Sequence, residues 1–373
     1  MRILALHTWT SGVAEARIWM YSRALIRQGH TVTHFPGVDD NAYQHLHDIT
    51  TGGLEQWLTD NVRDYDAIVS QYTYSVDVVK LLLASREYAD IPLIVDVDDD
   101  FLNVPTYNLA FKTYHGGAQG RAIIKMLCKS AECVLVSTAP LQNTIKHLCR
   151  HTVLAPNCVD PMMWGGLDVD PARGDDASVR FLFSGGQGRV DDLGVVKEPF
   201  EWLMAKYPQV RLLFLACAPP WAEPYMSNKV DPSANRAFLI QPCYISTYRA
   251  SVKWVAPDVW FNPLVPNKFN ESKSSLKFLD AAMVLAAYIG SDGPTHSVLP
   301  DDVMLKCSTP YQWRESLEQL VLSPQLRHRL ATAATAHALK EWQIDQHCHK
   351  WVEAIEWAMA NRVRQASDVI GLT

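Results

Sequence analysis

Short apolar runs, each followed by a polar or glycine-bearing loop and then by a helical stretch, recur along the chain and restrict it to one class of fold. Residues 2–6 (RILAL), 66–70 (DAIVS), 92–96 (PLIVD) and 133–137 (CVLVS) are of this kind, with a shorter run at 153–155. Apolar runs of this length are characteristic of strands whose sheet is covered by helices on both faces. Between them lie helical stretches at 13–28, around 75–88 and at 118–131. The first has Ile18, Tyr21, Leu25 and Ile26 as its apolar positions, Gly29 as its stop, and HTVTHF (30–35) as the following strand. Strands alternating with helices at this rhythm predict an open, mostly parallel sheet.

A stretch rich in Gly, Asp and Pro at 165–178 breaks the rhythm and reads as an exposed connection. Beyond it the pattern starts again without repeating the sequence. VRFLFSGG (179–186), a helix over about 193–206, VRLLFLAC (210–217), AFLIQP (237–242) and a helix around 246–254 come first. VWFNPL (259–264), a helix starting within 272–277 and AAYIGS (286–291) follow, and residues 311–364 are almost wholly helical. At 373 residues the chain exceeds one ordinary core. The expectation is an α/β protein of two Rossmann-like, doubly wound domains, 1–160 and 161–344, whose strand C-termini face a shared cleft.

Composition excludes several classes. With 48% hydrophobic and 20% charged residues and a net charge of -6, the chain reads as a soluble globular protein with no global affinity for polyanions. No run reaches the length of a membrane span or a signal h-region, so a cytoplasmic protein is expected. Eight cysteines without a CxxC pair argue against a zinc site and a disulfide framework. His45/His47 and His347/His349 are i,i+2 pairs that diverge on a helix, so no metal site is expected.

Four loops follow predicted strands: HTWTSG (7–12), DVDDDFLNVP (96–105), SGGQGR (184–189) and NPLVPNKFNESKSS (262–275). In the first, Gly12 is either a turn residue or a point of close backbone approach to a ligand. In SGGQGR, Ser184, Gly185 and Gly186 offer small side chains and backbone N–H groups to a phosphate, with Arg189 as charge partner; a plain turn is the alternative. The last loop clusters Lys268, Ser272, Lys273, Ser274 and Lys277 where a helix begins, which favours an anion seat over a merely solvated basic face. Asp280, three residues after Lys277, sits among apolar neighbours; a half-buried carboxylate there needs donors, which sugar hydroxyls supply.

Asp96, Asp98, Asp99 and Asp100 form the densest charge in the chain. Hard-oxygen metal binding is one use. Another has Asp99 or Asp100 positioning an acceptor hydroxyl or stabilising a cationic sugar transition state. A capped acidic loop is the plain alternative. Over residues 112–150, six Lys and Arg face one acid, Glu132. That stretch is either a solvated face or a contact for an anionic acceptor, a peripheral membrane surface or a nucleic-acid backbone.

With these residues in view, the chain resembles the GT-B glycosyltransferases, and in particular the retaining enzymes of family 4. PNCVDPMMW (156–164) is similar to that family's Pro-Asn-Gly-Val-Asp segment at the domain junction, with Cys158 in place of glycine. Residues 261–292 resemble the donor-site segment that carries a Glu-x7-Glu pair, and DVDDDFLNVP also recurs in such transferases. The resemblance implies a nucleotide-sugar donor, a UDP- or GDP-sugar, held mainly by the second domain. It also implies no required cofactor or metal, and a C-terminal helix, about 345–373, returning to the first domain. Asp280 takes the second acidic position, which binds the ribose; Ser272 falls on the first; Lys273 and Ser274 would hold the diphosphate. Arg189 lies near a basic position of the phosphate loop, and Gly12 matches the glycine loop without its usual partner glycine. The acceptor implied is a glycan or lipid-linked glycan. A hydroxymethylated base in viral DNA is the alternative, and a non-catalytic nucleotide-sugar binding protein is the alternative of another class.

Overall fold

The structure, a computed structural model, describes residues 1–7, 12–35, 51–113, 116–165, 178–227, 234–241 and 245–362. Two six-stranded sheets form the frame. The first contains β1 (Arg2–Leu6), β2 (Thr31–Phe35), β3 (Ala67–Gln71), β4 (Leu93–Val97), β5 (Cys133–Val136) and β6 (Thr152–Leu154), in the order β2-β1-β3-β4-β5-β6. The second contains β7 (Val179–Ser184), β8 (Val210–Leu215), β9 (Ala237–Ile240), β10 (Val259–Asn262), β11 (Ala287–Ser291) and β12 (Leu305–Cys307), in the order β12-β11-β10-β7-β8-β9. All strand pairs are parallel. Each order reverses once, beside β1 and β3 in the first sheet and beside β7 and β10 in the second. Such switch points are where doubly wound sheets open a crevice for ligands.

Alternation along each strand divides its side chains between two cores. Leu4 and Leu6 pack under the helices Val76–Ala89 and Ala118–Ser130, whereas Ile3 and Ala5 pack against Met20–Arg27 and against Trp351 and Ile355 of the helix His349–Ala360. In the second sheet Phe181 and Phe183 face Phe200 and Leu317, while Leu182 and Trp260 face Phe278, Leu279 and Ala334. The C-terminal helix therefore lies on the first sheet, with the Trp351 ring stacked on Tyr21 at 5.6 Å. The chain crosses between sheets at two adjacent points: the Val159 N–H donates to Trp342 O (2.8 Å) and the Ile344 N–H to Val159 O (2.9 Å).

Three elements differ from the sequence expectation. The helix expected over 13–28 contains a π-helical turn, Glu15–Trp19, which turns Glu15 and Arg17 inward. The helix expected to start within 272–277 does start there, at Leu276, and ends at Ala282, with the serines and Lys273 in the turn before it. The helix Thr51–Asn61 and the strand β12 were not anticipated, because TGG reads as a breaker and LKC has no apolar run. Residues 8–11 of the first glycine loop, most of the 165–178 connection and residues 363–373 lie outside the described residues.

Candidate active site

The C-terminal ends of the two sheets face each other across a cleft of about 720 Å³. Gly12, Glu15, Arg17, Asp98, Asp99 and Asn108 line it from the first sheet's side; Gly185, Gly186, Arg189, Lys273, Lys277 and Asp280 line it from the second.

The second wall is built from β7, β10 and the turns after them. A Cβ on Gly185 would meet the Phe183 ring at 3.0 Å and Arg189 Cγ at 3.1 Å, so glycine allows the loop to fold tightly beside the arginine. The Arg189 guanidinium donates to Asp192 (2.5 Å), to Asn262 Oδ1 (3.0 Å) and to Pro263 O (3.1 Å), which fixes its position at the cleft. In the first turn of Leu276–Ala282, Lys277 Nζ lies 3.2 Å from Asp280 Oδ2 and donates to the Tyr248 hydroxyl at 3.1 Å; Tyr248 in turn donates to the same Asp280 oxygen at 2.8 Å. Both bonds end on Oδ2. Burial acts to lower the Lys277 pKa, but Tyr248 and Asp280 outweigh it and hold the ammonium above its ordinary value, while burial pushes the Tyr248 phenol up.

The first wall is carboxylate-rich. Arg17, fully buried, forms a two-pronged pair with Asp96 (3.0 and 2.7 Å) and also donates to Ala155 O and Asn157 Oδ1; Asn157 Nδ2 then donates to Ser274 Oγ at 2.6 Å, joining the two halves. Asp99 pairs with Lys273 across the cleft at 3.0 Å. Glu15 pairs with Arg249 across the same gap. Burial, reinforced by Asp99 and Asp96 and partly offset by Arg17 and Lys273, pushes the Asp98 carboxyl up to about 7.

Of the residues singled out in the sequence, Gly12, Asp99, Gly185, Gly186, Arg189, Lys273, Lys277 and Asp280 therefore meet in one cleft. Five stand behind it or away from it. Asp100 is buried and accepts from the Leu102 and Asn103 N–H groups and from Asn103 Nδ2, which makes it the brace of its own turn. The Ser272 hydroxyl donates to Asp100 (3.4 Å), and Ser274 serves Asn157. Ser184 Oγ lies 3.5 Å from Lys277 Nζ, and Lys268 is exposed outside the cleft. Tyr248, Arg249 and Glu15 were missed: each stands in a helix without a motif and reaches the site through the packing of the two halves, while Asn157 lies in the PNCVDPMMW segment but was not singled out as a site residue. Among the described residues no group of three or more His, Cys, Asp or Glu is placed to hold a metal ion, and no helix is long and apolar enough to cross a membrane.

No protein-family model matches the sequence, and no curated protein matches it. Solved structures do. An α-glucosyltransferase in complex with UDP-glucose and DNA containing an abasic site superposes with a TM-score of 0.70 at 10% identity, over 95% of this chain and 99% of that one. The chain has the GT-B fold. Anabaena HepE, solved with UDP and glucose, gives a TM-score of 0.65 at 11% identity, over 95% of this chain and 99% of that one. A Listeria monocytogenes protein assigned as a UDP-N-acetylglucosamine 2-epimerase gives 0.56 at 10% identity, over 97% and 98%. The GT-B frame is thus similar to proteins assigned to more than one reaction on UDP-sugars, and the site has to decide between them.

Proposed function

We propose that the protein is a glycosyltransferase that moves a sugar from a UDP- or GDP-sugar to an acceptor hydroxyl, with retention at the anomeric carbon. The observation that carries this is the pairing of opposite walls: Arg189, Lys273 and Lys277 on one side and Asp98 and Asp99 on the other. In this reading Lys273 and Arg189 neutralise the departing diphosphate, Gly185 and Gly186 let it approach the backbone, and Asp280 Oδ1 accepts from the ribose. Positioned charge that meets charge developing in the transition state is the largest contribution such a site makes. Residues 1–160 with the C-terminal helix form the acceptor side, and 161–344 the donor side. Two similar structures carry UDP or UDP-glucose, which supports a uridine donor.

The acceptor in this reading is a glycan or a lipid-linked glycan, handled in the cytoplasm. A base in DNA is the second reading. It is favoured by the basic stretch 112–150, where Glu132 is 2% exposed and turned to Arg86, leaving the cations of that surface unneutralised by it. Calorimetric titration with UDP, GDP and their sugars, followed by product analysis on glycans and on hydroxymethylated duplex DNA, tests both. Binding of nucleotide with neither transfer nor hydrolysis would leave a binding protein instead. Activity is expected to survive EDTA, since lysine and arginine meet the diphosphate; loss restored by magnesium or manganese would overturn that part.

A further inference from the structure

We propose that Tyr248 and Lys277 are positioning residues for the nucleotide: together they fix the carboxylate of Asp280 for the ribose, and Lys277 takes no part in holding the diphosphate. The inference rests on the glycosyltransferase reading above, in which Asp280 meets the ribose. An ammonium group has three N–H bonds to give. Around Lys277 Nζ stand three protein oxygens, the Tyr248 hydroxyl at 3.1 Å, Asp280 Oδ2 at 3.2 Å and Ser184 Oγ at 3.5 Å, so the wall itself can take up all three. The Tyr248 and Trp260 rings, centred 5.2 and 5.9 Å from the same nitrogen, add attraction for the cation. Lys273 differs. Among the described residues its ammonium bonds to one oxygen, Asp99 Oδ1, which leaves N–H bonds for a ligand.

Tyr248 completes the clamp. Its hydroxyl accepts from Lys277, donates to Asp280 Oδ2 at 2.8 Å and lies 3.4 Å from Ser184 Oγ. Burial first, and the Asp280 charge next, push the phenol up, so it remains a donor at neutral pH. Three pieces of the second half converge on this hydroxyl: β7 through Ser184, Ile245–Val255 through Tyr248 itself, and Leu276–Ala282 through Lys277 and Asp280. Both donors end on Oδ2, and among the described residues no hydrogen bond ends on Oδ1. One oxygen of a carboxylate only 8% exposed is thereby fixed, and the other is left to accept from a ribose hydroxyl without rotation of the side chain. The ribose stands away from the bond that breaks, so such a contact is equal in the ground and transition states and sets KM rather than kcat.

Calorimetry on the full chain with UDP and 2′,3′-dideoxy-UDP tests this through the ratio of their dissociation constants, with GDP and its dideoxy form in their place should UDP not bind. Wild type should prefer the ribonucleotide by about 10- to 100-fold, the value of a hydrogen bond to a charged group. Tyr248→Phe, which keeps the ring, and Lys277→Met, which keeps the stem, should each cut that preference at least about fivefold and raise the KM for the nucleotide sugar to match, with kcat held within about twofold. In an Asp280→Ala background neither change should alter nucleotide affinity by more than about twofold, because both act through that carboxylate. A preference that survives in the variants, or losses that are the same with and without Asp280, overturns the positioning role and leaves the glycosyltransferase reading standing. Equal loss of both nucleotides in Lys277→Met would put its ammonium on the diphosphate and overturn the proposal in the same way. Should one variant fail to fold, the other decides, and wild type that binds both nucleotides equally overturns the proposal without either. Protein that binds neither UDP nor GDP and turns over no nucleotide sugar overturns the glycosyltransferase reading itself.

Discussion

The two walls of the cleft are held in different ways. On the second wall the charged groups are braced within their own half: Arg189 by Asp192, Asn262 and Pro263, and Lys277 by Tyr248 and Asp280. Behind them, the buried His296 ring lies within hydrogen-bond distance of Asn262, Tyr288 and Ser291 O, so even the support is supported. On the first wall the groups that face the cleft are tied to the other side as well: Asp99 to Lys273, Glu15 to Arg249 besides Arg23 of its own half, and Asn157 to Ser274 besides Arg17. The second wall is thus preorganised, whereas the first depends in part on how closely the halves approach. Charge that need not reorganise is what electrostatic catalysis requires, and groups that a ligand can draw apart are what a closing cleft requires.

Lys273 belongs to both descriptions, so its removal should have the largest effect. In the proposed reaction Lys273→Ala deletes one of the two cations assigned to the leaving diphosphate, and it removes one partner of Asp99, which is 29% exposed. Sugar transfer or hydrolysis is expected to fall about 10²- to 10³-fold, by analogy with the loss of one oxyanion donor. The thermal melt should change little. A wild-type rate in this variant would remove the diphosphate from that corner of the cleft.

Next in size is the contrast between Asp280 and Asp99. Asp280 lines the cleft from a position braced through Oδ2, so in the proposed reading Asp280→Ala should weaken UDP binding by about 10- to 100-fold, the value of a hydrogen bond to a charged group. Asp99→Ala should change UDP affinity by less than about threefold, because a surface-type ion pair is worth under about 1 kcal/mol, while lowering turnover. Calorimetry on both variants reads this directly. Equal losses would mean that the walls do not divide donor from acceptor.

How far the sequence revealed this arrangement follows from the range of the interactions. The strands and most helices were legible because burial on both sheet faces writes itself into local runs such as RILAL and VRFLF, and β1 occupies the residues expected of it. Lys273, Lys277, Asp280 and Arg189 were legible because the strand–loop–helix order places such residues at the cleft whatever the partner domain does. Within DVDDD the sequence showed an excess of charge but not its distribution. Arg17, which neutralises Asp96 from 79 positions away, and Lys273, which reaches Asp99 from 174 positions away, decide which carboxylate remains unpaired. Tyr248 carries no local signal, being one aromatic residue in an ordinary helix, and only the packing of Ile245–Val255 beside Leu276–Ala282 brings it to Asp280.

The smallest expected effect concerns the residue that stands where the resemblance places a sugar-gripping carboxylate. The Ser272 hydroxyl turns away from the cleft toward Asp100, and its backbone carbonyl accepts from Thr138 at 2.8 Å. Ser272→Ala should therefore leave the KM for UDP-glucose within about twofold, since the weak 3.4 Å bond it removes is worth about 0.5–1.5 kcal/mol to stability and nothing to the donor. Asp100→Ala sharpens the same point. It strips the acceptor from the Leu102 N–H and from Asn103 Nδ2, and one of two acceptors from the Asn103 N–H, and should lower stability by about 1–3 kcal/mol, read as a lower Tm, with turnover per folded molecule retained. A tenfold rise in KM for Ser272→Ala at unchanged Tm would put this residue in contact with the sugar after all, and would move part of the acceptor wall's work onto the donor domain.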